Sequence, residues 1–173
     1  WSIPDDIHAV LDLLKGRNRG RLYRLAPADF KHRATPQLSK ATTSELVALL
    51  DHPNAWHRDT ALRLLHERND SAAVGPLRAM VKNGTTDQGK IGALWSLSSK
   101  LGPNDEVLKE AANCQSPRVR EQAMAINAEN AWLHHSGASI DYPSIAAGLH
   151  DDDKRVRFWS VLADGSYTGV RSS

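Results

Sequence analysis

The residues in this chain that could do chemistry are few, and their spacing works against it. The adjacent His134 and His135, with Asp141 or the run Asp151–Asp153 as further ligands, would be the obvious metal set. On a helix, neighbouring side chains point about 100° apart, so such a pair needs a third ligand at a defined spacing to share one ion. No His-Glu-x-x-His motif occurs. The Asp151–Asp153 run lacks the glycine and the closing glutamate of a calcium loop and reads as the acidic turn before a helix. Cys114 is the sole cysteine, which excludes an internal disulfide and any multi-cysteine centre. It precedes Gln115, Ser116 and Pro117 and has no base beside it in sequence, so a catalytic thiol is not supported. Gly165-Ser166-Tyr167-Thr168-Gly169 has the wrong spacing for a nucleophile elbow, and no phosphate-cradling glycine loop is present. His52, Trp56 and His57 share one polar turn. They could meet a ligand, or Trp56 could pack the first helix pair against what precedes it. No catalytic, cofactor-binding or metal-ligating residue is assigned.

The elements around these residues carry a clearer signal. Four segments repeat one plan of helix, polar turn, helix. Their second helices centre on a small residue: Ala61, Ala93, Ala123 and Ser160. The steps between them are 32, 30 and 37 residues. Three residues before each stands a base: Arg58, Lys90, Arg120 and Arg157. Eight residues before each base lies the expected end of the first helix, at Leu50, Lys82, Ala112 and Leu149. Helix pairs at this period predict an all-α chain, an α-solenoid in which each pair buries its apolar face on its neighbours. A cation early in a helix opposes the macrodipole by a few tenths to about 1 kcal/mol, so it should be paired. The turn before it often holds an acid or amide: Asp51, Asn83, Asn113 or Asp151. A base that bonds its own turn or the next would form a ladder fixing the stacking register. The alternative is that Arg58, Arg63, Lys90, Arg120 and Arg157 line a concave ligand face.

The amino-terminal part differs. Residues 15–33 hold Lys15, Arg17, Arg19, Arg21, Arg24, Lys31 and Arg33 against the single acid Asp29, although the whole chain carries 22 basic and 20 acidic residues. Net charge of +2 is low for a non-specific nucleic-acid binder, and nucleic acid is not the expected partner. Arg21–Leu25 reads as a short strand stopped by Pro27, and residues 26–42 read as a linker. A helix is expected to start with Thr43 or Ser44 as its cap. Residues 1–35 are therefore assigned to a remnant of an upstream domain with its linker, and 43–165 to about four helix pairs. No apolar run reaches the roughly 20 residues needed to span a bilayer. The chain opens on Trp1 and is read as a piece of a longer protein.

Ser116-Pro117-Arg118-Val119-Arg120-Glu121-Gln122-Ala123 and Asp151-Asp152-Asp153-Lys154-Arg155-Val156-Arg157 resemble the turns of HEAT repeats. The series Trp1–Ile7, Gly16–Leu25, Leu38–Ala41 and Leu49–Ala61 resembles the joint between a β-propeller and a HEAT domain. That joint occurs in large exported proteins of planctomycete and verrucomicrobial type, described as membrane-bound dehydrogenases or haem-binding proteins. The resemblance covers residues 1–163. It implies that the strand at 21–25 closes a propeller, that a cytochrome c domain follows the helices, and that the parent is periplasmic or exported. Haem c would then belong to the parent, since Cys114 is not part of a Cys-x-x-Cys-His motif and no complete propeller is present. The expected function is a non-catalytic scaffold whose partners are domains of the same parent or another protein. The alternatives are a portion of an oxidoreductase whose chemistry lies elsewhere, and a stand-alone HEAT protein binding protein or nucleic acid. The last helix is expected to expose Phe158, Trp159, Val161 and Leu162 and to self-associate.

Overall fold

The computed structural model describes residues 4–10, 15, 18–20, 25–31, 36–101, 105–133 and 142–168. Outside these lie most of the expected strand at Arg21–Leu25, together with Arg17, His134, His135 and Asp141. The backbone forms two compact units, Trp1–Pro36 and Gln37–Ser173. In the first, the short helix α1 spans Asp5–Val10. Its acids Asp5 and Asp6 sit in the first turn, where the macrodipole favours them.

The described part of the second unit is helical, with no strand. Helices α2 (Thr43–Ala48) and α3 (Ala55–Arg68) form a first pair. Helices α4 (Val74–Asn83) and α5 (Asp87–Leu97) form a second, and α6 (Glu106–Ala112) and α7 (Pro117–Leu133) a third. The fourth comprises α8 (Tyr142–Gly148) and α9 (Lys154–Thr168). Each helix packs on its own partner and on its counterpart in the adjacent pair: α2 on α4, α4 on α6, α6 on α8, and likewise α3 on α5, α5 on α7, α7 on α9.

Polar residues set the helix starts. Thr42, one residue before the expected caps, makes a reciprocal capping box with Glu45: Glu45 N donates to Thr42 Oγ1 (3.3 Å) and Thr42 N to Glu45 Oε2 (2.7 Å). This frees the Thr43 hydroxyl for Asp70, 2.7 Å away. Asn54 caps α3, Thr86 caps α5 and Asp105 caps α6. Asp153 Oδ1 accepts from Arg155 N at the start of α9 (2.8 Å). The second helices therefore start two or three residues earlier than their apolar periodicity suggests, and each base is the fourth helical residue. α3 ends at Asn69, in the left-handed conformation with φ 44°.

The four small anchors Ala61, Ala93, Ala123 and Ser160 are all fully buried. They let the helices approach closely. At Gly148 on α8 a Cβ would collide with the Ser160 hydroxyl. One contiguous core runs from Leu46 and Leu50 through Leu77, Leu94 and Leu97 to Leu108 and Ile126. A second, smaller cluster joins Met124, Ala128, Ile145, Val156 and Ala163 in the last two pairs. Trp159 packs against it, so it is not part of the exposed face expected on α9.

Candidate functional site

The four bases converge on backbone. Arg58 Nη1 donates to the carbonyls of His52 (2.7 Å) and Pro53 (2.9 Å). Arg120 Nη1 donates to those of Cys114 and Gln115, both at 2.9 Å. Arg157 Nη1 donates to those of Asp151 (2.6 Å) and Asp152 (2.9 Å). In all three the acceptors lie six and five residues upstream. Two charge-assisted bonds to carbonyl oxygens outweigh the few tenths of a kcal/mol lost against the macrodipole. Lys90, with a point-like ammonium in place of a fork, reaches only the Lys82 carbonyl, at 3.5 Å.

A second layer of bonds ties each turn to the next. Asp51 accepts from Thr85 N (2.7 Å), Thr85 Oγ1 (3.0 Å), Thr86 N (3.2 Å) and Thr86 Oγ1 (2.7 Å). Burial works to raise the Asp51 carboxyl, but the Thr86 and Thr85 bonds together hold it below the usual carboxylate range. Gly89 makes room for it, because a Cβ there would collide with Asp51 Oδ1. The Ser116 hydroxyl donates to Asp87 (2.8 Å). Arg120 uses its Nε and Nη2 on the two oxygens of Asp151, at 2.7 and 2.8 Å. That pair is largely buried, with side chains 19% and 12% exposed. The Arg120 bond lowers the Asp151 carboxyl and raises the guanidinium in return.

Towards the other ends of the helices, Arg78 holds Asp105 through a bidentate pair at 2.8 and 2.5 Å. Beside the turns, Lys82 pairs with Glu110 at 2.9 Å. Burial works to raise Asp105, and its bonds from Arg78 and Val107 N more than offset this. Trp95 Nε1 donates to Gln122 Oε1 (2.9 Å). All these inter-pair bonds join consecutive pairs.

Arg120 therefore plays two roles at once, on carbonyls and on an acid, while Arg58, Lys90 and Arg157 turn their charge to carbonyls. Arg63 stands apart, exposed and paired with Glu67 one turn on (2.6 Å). Of the expected turn partners, Asp151 meets a base from the preceding pair. Asp51 takes threonines, and Asn113 Nδ2 donates to the Lys109 carbonyl (2.8 Å). The partners Thr85, Thr86, Arg78 and Asp105 were not foreseen. Their only sequence trace is a separation from their partners close to the repeat step.

The turn at 52–57 is a compact ring cluster. The His52 and His57 rings lie 4.1 Å apart, and the Trp56 ring meets His57 edge-on at 5.2 Å. Asn54 N donates to His52 Nδ1 (3.0 Å). Trp56 is 54% exposed, so the turn presents an aromatic face. A cleft of about 430 Å³ between the third and fourth pairs is lined by Cys114, Arg120, Met124, Gly148 and Asp151. Its two charges neutralise each other. No group of three or more potential metal ligands occurs among the described residues, and no described helix is long and apolar enough to cross a membrane.

Compared with known proteins, the chain matches no protein-family model and no curated protein.

Proposed function

We propose that the chain is an α-solenoid of about four HEAT-like helix pairs that serves as a non-catalytic scaffold and protein-interaction module. The observation that carries this is the repeated turn. Arg58, Arg120 and Arg157 make the same two carbonyl bonds at the same register, and among the described residues the side-chain bonds between pairs run only to the adjacent pair. Such nearest-neighbour bonding suits a stack whose purpose is shape and reach.

On the resemblance to propeller–HEAT–cytochrome c proteins, this stack would space a redox propeller from a haem c domain in a larger exported protein. The gene tests that placement. Reading it outward on both sides should reveal propeller blades upstream and a Cys-x-x-Cys-His motif downstream. An open reading frame with neither would sink the spacer assignment and leave the scaffold reading to stand on its own.

A further inference from the structure

Four buried polar atoms in the last two pairs meet no hydrogen-bond partner among the described residues: Asn127 Nδ2 and Oδ1, Asn130 Nδ2, and Asp164 Oδ1. Asn127 is fully buried and Asn130 is 6% exposed. Asn127 lies on the face of α7 that carries Met124 and Ala131, at spacings of three and four. Met124 and Ala128 belong to the cluster that Val156 and Ala163 of α9 complete. Asp164 follows Ala163 and lies one turn beyond the buried Ser160. The register agrees as well: Asn127 and Asp164 each stand seven residues after their base, Arg120 and Arg157. In the first two pairs that position is Leu65 and Leu97, both buried in the main core.

We propose that Asn127, Asn130 and Asp164 form a binding site for internal water between α7 and α9. The set offers two amide donors and two oxygen acceptors. A cation would serve the oxygens and leave both amides unmet. An anion would serve the amides beside a carboxylate. Water donates and accepts, so one or two molecules satisfy all four atoms. Polar groups so deep in the protein require a partner of this kind. The Ser160 hydroxyl is already used on the Val156 carbonyl (2.8 Å) and takes no part.

Magnetic relaxation dispersion of water nuclei on the wild-type chain tests the site directly. It should report one or two waters held longer than the molecule's tumbling time. The variant N127L/D164L, which restores the hydrocarbon of the first two pairs, should lose that contribution. N127L alone strands Asp164 and should lower Tm by roughly 5 °C, with the double variant recovering the part lost at Asp164. Three outcomes would overturn the proposal: no long-lived water in the wild type, an undiminished signal in the double variant, or a high-resolution structure in which Asn127 bonds directly to Asp164.

Discussion

At the scale of single residues, Arg120 does the most. It satisfies two carbonyls of its own turn and both oxygens of Asp151 in the next. Replacing it by alanine leaves a largely buried carboxylate unpaired, and R120A should cost about 2–3 kcal/mol in urea denaturation. R58A gives up only two carbonyl bonds and should cost about 1 kcal/mol. R63A, at an exposed helical pair, should stay within about 0.5 kcal/mol. G89A should cost about 1–3 kcal/mol despite alanine's better helix propensity, since Asp51 must move out of its four bonds. The bases were legible in the sequence because a constant spacing of charge and small residue survives without any alignment. Asp51 was visible only as a turn acid. Its threonine partners lie 34 and 35 residues away, and such a bond exists only once two pairs have stacked.

Among the elements, the helix starts were the least readable feature. Apolar periodicity begins inside the second helices, after a first turn made of residues such as Trp56, His57 and Gln88, so the true caps Asn54 and Thr86 were missed. The capped and laddered acids make the assembly of these elements depend on pH. Asp51, Asp70, Asp105 and Asp151 are all held below their ordinary values in the folded chain. In the unfolded chain they titrate near the usual value of about 3.9. Between the two, the unfolded state binds more protons, so stability rises with pH there. It is fully present above the unfolded value and is lost as pH falls through the folded ones. Chemical denaturation followed across pH should therefore show this contribution unchanged above about pH 5 and falling below about pH 4. The slope should shrink in D51N and D151N. An undiminished acid slope in both variants would place the sensitivity elsewhere.

For the whole molecule, the all-helical composition of the described second unit was legible from its period. The placement beside a propeller and a cytochrome rests on resemblance alone. The stacking logic adds a statement about α9. The residue four after each base is covered in the earlier pairs: Leu94 and Met124 are buried, and Leu62 packs near Gly92. Its counterpart Val161 is 58% exposed, as is Phe158 one turn before it. This face is equivalent to the one on which each earlier pair receives the next. The chain should self-associate through it, seen as a rising weight-average mass in sedimentation with concentration. F158E/V161E should remove that rise, and a wild-type chain that stays monomeric at high concentration would disprove it.

Whether each pair leans on its neighbours alone is read from hydrogen exchange of the wild type against R120A, followed helix by helix. In a stack the loss of protection should concentrate in α8 and α9, with α2 to α5 close to their wild-type rates. An equal loss across all helices would mean one globally cooperative core and no nearest-neighbour stack.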